Sequence, residues 1–465
     1  MSFLTPVGGW SAFDTWIVVT AALAAMACAL PGTYLLLRRQ SMMGDAISHT
    51  ALLGIVLAFL FSHALKTRGW ISPESYYGWH HTVLFVGALL IGMLSALLTE
   101  WIQRLGRMES SASLGVVFTT LFAAGLMLIR IAADEVHIDP DCVLYGNLES
   151  VALDTLGSTG IPRAAATNAA VLLLNGALVL VFFKELQISA FDPSLATALG
   201  INARLMHYAL MAVTALSLVA AFESVGSILV IAMLIVPAAT AHILTDRLPV
   251  LIVLALLIAM LTALLGHALA ITLPAAVFSR LGYVNVVDAS TAGMMAATAG
   301  LIFVLAMVFG PRHGLVSQLA HRLTLRVKIA GEDVLGYLYR IEETSPDRPL
   351  PTPLERLQSA LGLGPIVLRL AAWRMMRQRR LCAEGSGYSL TESGRVDAQR
   401  LIRAHRLWES YMSRHFEIPV DHLHATAHWV EHYIDEDLRA QLSEELDEPQ
   451  EDPHGKLIPK DSTGV

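Results

Sequence analysis

Nine stretches of about twenty mostly apolar residues fill the first 312 positions, and they constrain the fold more than any other feature. A helix needs roughly 20 such residues to cross the hydrocarbon core of a bilayer, where unpaired backbone groups cost several kcal/mol each. The candidate spans lie near 14–37, 46–65, 82–100, 112–131, 165–184, 205–222, 225–245, 249–272 and 290–310. Only Glu223-Ser224-Val225-Gly226-Ser227 separates the sixth from the seventh. The chain is 55% hydrophobic and 15% charged, whereas a soluble domain carries about 25% charged residues. The excess ends near Arg312, beyond which the composition is that of an ordinary soluble protein, so the net charge of −7 averages two solvents and identifies no partner. Cys28, Cys142 and Cys382 are scattered, which argues against a disulfide framework or a cysteine-based zinc site. The first apolar run lacks a basic leader and a small-residue cleavage site and reads as a retained span.

Positive charge in short loops favours the cytoplasmic side. Arg38 and Arg39, Arg104 and Arg107, Lys184 and Arg204, and Arg247 follow alternate spans, and Arg312, Arg322 and Arg326 follow the last. Lys66 and Arg68 point the other way. The majority puts the N-terminus outside and the C-terminus inside, leaving the loop 132–164, with Asp134, Glu135, His137, Asp139 and Asp141, exposed outside.

Ionisable residues inside a membrane usually mark a pathway or a paired site. In Ser41-Met42-Met43-Gly44-Asp45-Ala46-Ile47-Ser48-His49, a helix puts Asp45 and His49 on one face. A carboxylate beside an imidazole suits divalent manganese, zinc or iron, with Met42 or Met43 as a soft neighbour. The plainer alternative is a helix start with Asp45 near the N-cap and His49 at the interface. Glu223 reads as part of a short polar turn; Pro237 reads as a helix break lining a cavity or as a simple kink. In the loop 186–204, Asp192 reads as an N-cap, Pro193 as the first helical residue and Gly200 as the stop of a short helix carrying Leu195, Ala198 and Leu199. Such a helix packs on a motor subunit or lies on the membrane surface. The sequence has no GxxxxGK[ST] loop, so no nucleotide is expected on this chain, and ATP hydrolysis would fall to a separate subunit.

Residues 313–328 read as a basic linker. From 329 to 400, helical patterns at 332–343, 354–361 and 365–380 precede the extended Tyr388-Ser389-Leu390-Thr391, a winged-helix order. The region 401–465 reads as a helical module with an acidic tail. It holds the chain's densest set of metal-type ligands: His405 and Glu409 on one helix, then His424, His428, Glu431 and His432 on the next. Faces of this kind can hold a first-row divalent ion, or be solvated helices on which histidines fall by chance. Arg369, Arg374 and Arg377, with Arg379 and Arg380, make the third helix basic, fit for DNA or anionic lipid.

Gly44-Asp45-Ala46-Ile47-Ser48-His49, the segment 192–200 and Val225-Gly226-Ser227-Ile228-Leu229-Val230-Ile231-Ala232-Met233-Leu234-Ile235-Val236-Pro237-Ala238-Ala239-Thr240-Ala241 resemble, in order, the permeases of zinc/manganese/iron ABC importers. The resemblance covers about residues 10–310 and implies an all-α polytopic permease of the bacterial inner membrane, not an enzyme. It implies Asp45 and His49 in the metal pathway and the 192–200 helix as the coupling helix. Its partners would be ABC ATPase subunits, an extracytoplasmic metal-binding protein and a second permease, copy or paralogue. Leu390-Thr391-Glu392-Ser393-Gly394-Arg395, His405-Arg406-Leu407-Trp408-Glu409, Trp429-Val430-Glu431-His432 and Asp452-Pro453-His454-Gly455 resemble metal-dependent repressors of the diphtheria-toxin-repressor type. That resemblance implies one metal site at His405, Glu409 and His424 and another at Asp333, His428, Glu431 and His432. His428 stands where iron-responsive members have Cys and manganese-responsive ones Glu, and Asp333 is as in the manganese type.

The expectation is a divalent-metal permease, manganese before zinc or iron, with a cytoplasmic metal-sensing and dimerisation tail. The alternative is a membrane-tethered, metal-dependent transcriptional regulator, disfavoured because an anchor needs one span and no coupling helix. A cobalamin or siderophore permease is a third reading, against which the Asp45/His49 pair and the tail argue.

Overall fold

The computed structural model describes residues 10–68, 73–132, 146, 148–156, 160–278, 288–345, 351–385, 387–416 and 418–460. Asp134, Glu135, His137, Asp139, Asp141 and Cys142 of the expected outer loop lie outside the described residues. The chain divides into two compact units, residues 1–317 and 318–465.

The first unit is helical: α1 (Ala12–Leu37), α2 (Met42–Thr67), α3 (Pro73–Gly106), α4 (Ser110–Ala132), α5 (Arg163–Val181), α6 (Phe183–Phe191), α7 (Pro193–Ala198), α8 (Ala203–Val225), α9 (Ser227–Leu244), α10 (Leu248–Phe278) and α11 (Thr291–Phe309). Among the described residues, eight of these (α1 to α5, α8, α10 and α11) are long and apolar enough to cross a membrane. The ninth candidate falls on α9, whose apolar part, Leu229–Leu244, is shorter. Leu229, Val230, Met233, Leu234, Ala238 and Ala241 of α9 are all buried. One expectation changes here, and one of two alternatives falls away. Glu223 is on the last turn of α8, not in a turn: the chain breaks at Gly226, whose φ of +82° is a conformation glycine adopts freely. Pro237 sits inside α9 without ending it, as proline can where neighbouring helices satisfy the freed carbonyl.

Helices in lipid gain nothing from expelling one another's apolar surface from water, so close packing through small residues decides their association. α2 lies along α3 and α4, and α1 against α5, α9 and α10. At the α2–α3 crossing, a Cβ on Gly54 would stand 2.3 Å from the Gly87 carbonyl oxygen, and one on Gly87 2.6 Å from that of Gly54. Polar side chains tie helices across the bundle. Asn175 of α5 donates to the Ala27 carbonyl of α1 at 3.0 Å and to Ser217 Oγ of α8 at 2.7 Å.

The second unit begins within α12 (Leu315–Thr344). Most of the expected linker is therefore helical: no proline or glycine interrupts 315–330. α13 (Leu354–Leu361), α14 (Pro365–Arg377) and a hairpin of β2 (Leu381–Glu384) and β3 (Gly387–Leu390) follow. β1 (Thr352–Pro353) pairs with the other side of β3, giving the antiparallel order β1-β3-β2. This helix–helix–helix–hairpin order is a winged helix, with Val334, Leu335, Leu338, Leu357, Leu368, Met375, Leu381 and Leu390 in its core. α14 stops at Arg377, not Arg380, because Arg379 turns the chain with φ +58° into β2. α15 (Glu392–His415), capped by the Thr391 side chain, leads to α16 (Val420–Val430) and α17 (Glu436–Glu445). Their separate core is Ala404, Leu407, Ile434, Leu442, Leu446 and Ile458.

Gly87→Val should destabilise the bundle by about 1–3 kcal/mol through overpacking against α2. Gly176→Ala, where an added Cβ meets nothing within 4 Å, should change little. Thermal unfolding of the two variants in one detergent compares them directly.

Candidate metal centre

In the first unit, Asp45 Oδ1 and His49 Nε2 are 3.3 Å apart, one turn along α2. Ser41, the residue before α2, makes no side-chain cap, and the His49 ring packs against Phe118 and Phe122 of α4. Met43 is buried and Met42 exposed, so the two thioethers do not share one environment. The pair is held in place from behind: a Cβ on Gly44 would run into the side chain of Leu234 of α9, 2.1 Å away. A carboxylate and an imidazole side by side at a partly exposed position can take a divalent cation in passing without enclosing it.

A second polar group, invisible to local spacing, forms at the start of α1. Asp14 accepts from Ser11 in a capping box, and its Oδ1 lies 3.3 Å from Nε2 of His267 of α10. His267 is buried, and its Nδ1 meets Thr291 Oγ1 at 3.0 Å. The Thr291 backbone N–H, at the start of α11, donates to Glu149 at 2.9 Å. A histidine in the middle of an apolar run was the available signal.

The short helix α7 is built as its sequence requires. Asp192 Oδ1 accepts from the N–H groups of Ser194 and Leu195 at 2.9 and 3.0 Å, Pro193 takes the first position, and Gly200 has φ +82°. The Asp192 carboxyl titrates below its usual range, first because of the Ser194 hydroxyl and then the Leu195 N–H. Leu195 and Leu199 are exposed and Ala196 is buried; Ala198 is on the exposed side.

In the second unit the expected ligands converge. His405 and Glu409 come from α15, and His424 from α16 brings Nδ1 to 2.9 Å from His405 Nε2 and 3.1 Å from Glu409 Oε1. His405 Nε2 is 3.0 Å from the same Glu409 oxygen. Asp333 of α12, His428 of α16, and Glu431 and His432 just beyond α16 form the second set. His428 Nδ1 is 3.2 Å from Glu431 Oε1, and His432 Nε2 is 3.1 Å from Asp333 Oδ1. The two sets touch: His405 Nδ1 lies 2.5 Å from Glu431 Oε2. Each set buries its carboxylates and exposes one imidazole, His424 or His428.

The electrostatics follow from this packing. Burial works against the His432 cation, but Asp333 and Glu332 outweigh it and hold the ring at about 9. Burial likewise opposes ionisation of Glu431, yet His405 and His428 bring its carboxyl down to about 2. His405 is raised against its burial by Glu409 and Glu431; His424 is lowered by burial.

These residues fit a divalent ion on a specific ground. Asp333 Oδ1 and His432 Nε2 are buried and meet each other at 3.1 Å without forming a well-aligned hydrogen bond, which leaves both with bonding capacity that a metal ion would fill. Local spacing could not find Glu332, whose Oε2 is 2.8 Å from His432 Nδ1, or the turn at Asp452 and His454, which reaches Glu409 from far along the chain. Arg369 and Arg377 are exposed on α14, Arg377 stacks on Trp373 at 5.2 Å, and the half-buried Arg374 reaches the Thr324 carbonyl.

Residues 12–310 match the family model described as the ABC 3 transport family. Residues 391–460 match that of the iron dependent repressor, metal binding and dimerisation domain. The chain is 39% identical over 322 residues to the manganese transport system membrane protein MntD of Bacillus subtilis, covering 69% of this chain and 99% of that protein. It is 37% identical over 334 residues to the zinc transport system membrane protein TroD of Treponema pallidum, covering 70% and 83%. The structure of PsaBC from Streptococcus pneumoniae in complex with Fab superposes with a TM-score of 0.51 at 27% identity, over 65% of this chain and 94% of that one. A multi-pass membrane unit and a region resembling the metal-dependent repressors are thus joined in one polypeptide, and the chain belongs to the ABC 3 transport family.

Proposed function

We propose that this chain is the permease subunit of an ATP-driven importer for a divalent transition metal, manganese before zinc or iron, whose tail senses metal and restrains transport. The observation that carries the reading is that one chain of a transport family offers ligands of one chemistry in two places: Asp45 with His49 in α2, and the imidazole–carboxylate sets of the tail. In this reading 1–312 is the transport domain, 313–328 the linker, 329–400 the winged helix and 401–465 the metal-binding and dimerisation module. The permease lies in the bacterial cytoplasmic membrane with its N-terminus outside and tail inside, paired with a second permease. Asp45 and His49 pass the cargo ion; α7 docks on a separate ATPase through Leu195 and Leu199; an extracytoplasmic protein delivers metal. No nucleotide binds this chain.

In the tail, a divalent ion supplies a compact positive charge that buried carboxylates lack. Glu431 accepts from His405 Nδ1, which leaves Nε2 directed at the Glu409 set, so the state of one set bears on the ligand geometry of the other. Feedback then requires that metal bind one tail conformation better than another.

A DNA-binding reading is less well supported by α14. Ile366, Leu370 and Trp373 are exposed there among the arginines, an apolar strip suited to lipid or protein more than to base edges.

Three outcomes test these assignments. In proteoliposomes with the ATPase, His49→Ala should cut manganese uptake at least about tenfold, the scale of losing a ligand or its support. Uptake at the wild-type rate would remove the pair from the pathway. Metal added on the tail side should slow uptake and ATPase activity in the wild type and not in His405→Ala; an unaffected wild type rules out feedback. Finally, His432 at about 9 carries a proton at neutral pH that metal must displace, while Glu431 at about 2 is already ionised. Tail affinity for Mn²⁺ should therefore rise with pH by up to about tenfold per unit towards pH 9. Calorimetry in buffers of different ionisation enthalpy reads the released proton.

A further inference from the structure

The ends of α1 and α3 and the start of α8 meet the α6–α7 elbow around a cavity of about 870 Å³. Sites for small ligands run from roughly 300 to 1,000 Å³. Four arginines line the cavity, Arg38, Arg39, Arg104 and Arg204, against one carboxylate, Glu100. Arg104 takes that carboxylate one turn along α3. Arg38 turns its two amino groups to neutral partners, His207 Nδ1 at 3.2 Å and Ser189 Oγ at 2.9 Å. A guanidinium accepts no hydrogen bond, so the imidazole nitrogen is the acceptor. Arg38 Nε is buried and makes no hydrogen bond among the described residues, and the same holds for Oε1 of Gln40, which lines the same cavity. Orphaned buried groups of this kind are rare, and each calls for a partner. The backbone also places a cation here. α1 closes with the Gln40 N–H on the Leu35 carbonyl at 2.9 Å, and the residue at the turn, where glycine usually stands, is Arg39 with φ +56°. A left-handed conformation is costly for a residue with a side chain, and such strain gathers at ligand clamps.

Cations crowded round one cavity repel one another, and an anion among them relieves the repulsion. The surroundings say which anion. Beside the lining residues, Trp101 and Leu105 of α3 and Leu205 and Tyr208 of α8 are exposed. Both helices are long and apolar enough to cross a membrane. Exposed leucines at their ends meet acyl chains, and tryptophan and tyrosine settle at the headgroup level.

We propose that this cavity binds the phosphate of an anionic phospholipid through Arg38, Arg39 and Arg204, with the acyl chains along the exposed sides of α3 and α8. Basic pockets between spanning helices bind phosphate headgroups. Gln40 Oε1 suits a headgroup hydroxyl, which makes phosphatidylglycerol the probe of choice. Free phosphate, or a carboxylate from a soluble partner, would use the arginines and leave the apolar flank idle. Ser189 and Pro193 belong to the cavity wall, so the lipid sits against the α6–α7 elbow. The inference needs only a membrane-spanning first unit and is independent of metal sensing by the tail.

The test uses the full chain in nonionic detergent, with native mass spectrometry counting the lipid retained as phosphatidylglycerol or phosphatidylcholine is added. The wild type should retain phosphatidylglycerol in preference to phosphatidylcholine. Arg38→Gln and Arg204→Gln should each weaken that retention about fivefold, the effect of one cation near an anionic headgroup. Lys184→Gln, which removes an exposed cation outside the cavity, should leave it unchanged. Arg204 is exposed, and the unfolding midpoint of Arg204→Gln in phosphatidylcholine should match the wild type, which separates loss of the site from misfolding. Equal retention of the two lipids by the wild type would overturn the inference. Equal weakening by Lys184→Gln would do so as well, since a diffuse surface field would then suffice. Displacement of the lipid by inorganic phosphate at equal concentration would assign the cavity to a free anion and overturn the lipid assignment. Loss of affinity for the partner ATPase in both arginine variants, with lipid retention intact, would give the cavity to an acidic side chain of that subunit instead.

Discussion

The absence of water in the bilayer interior governs the first unit. It forces backbone groups to pair within helices and removes the solvent-driven attraction that would otherwise hold them together. What remains is contact, and contact needs small residues. Leu234 of α9 illustrates this: its backbone oxygen would lie 2.0 Å from a Cβ on Gly32 of α1, and its side chain 2.1 Å from one on Gly44 of α2. One leucine is thus enclosed by two helices that only glycine lets approach. Because Gly44 adjoins Asp45, the same packing fixes the base of the helix that carries Asp45 and His49. Polar groups obey the rule from the other side. Asn175 finds α1 and α8, and His267 finds Asp14 and Thr291, since an unmatched donor there has no water to turn to.

The tail meets the same requirement on a smaller scale. His405, Glu409 and Glu431 are buried in the second unit, a position charged groups occupy only when matched. Each is matched by another member of the cluster, so the site and the core are not separable: an imidazole taken from His405 removes a partner from two buried carboxylates at once. Arg406 does the corresponding work at the other end of the turn, joining α12 through Glu343 to the C-terminal segment through Asp452 and the Leu457 carbonyl. Arrangements of this kind are sensitive to the charge placed among them, a property that a sensor needs and that a purely apolar core lacks.

Much of this was legible in the sequence because it is local. Apolar runs of bilayer length gave eight of the nine candidate spans, Asp192-Pro193 followed by Gly200 gave α7, and the spacing of His405 with Glu409 gave a shared face; Glu431 and His432, expected on one helix with His428, lie in a short turn beyond it because α16 ends at Val430. Features that depend on contact at long range were not legible. The break between α8 and α9 falls at Gly226 and not at Glu223, because backbone conformation, not polarity, decides where the helix ends. The helical continuation through 315–330 was hidden by a basic composition that suits an exposed helix as well as a linker. His267 and Asp14 are 253 residues apart, and His454 and Glu409 45 apart by their numbers, so no periodicity could join them.

If the tail restrains transport as proposed, that coupling has a thermodynamic ceiling. Moving a two-state equilibrium from about 1:99 to 99:1 needs roughly 10⁴-fold tighter binding to the favoured state, or about 5.5 kcal/mol. A single allosteric site typically supplies about 1–3 kcal/mol, which falls short. Two centres joined through the His405–Glu431 contact can combine their preferences, provided both favour the same tail conformation. The linkage is reciprocal: if occupancy of the tail slows transport, the resting state of the permease must bind tail metal more tightly than the working state. A tail with two centres would therefore respond steeply over a narrow range of metal concentration, where one centre would give only a gradual brake.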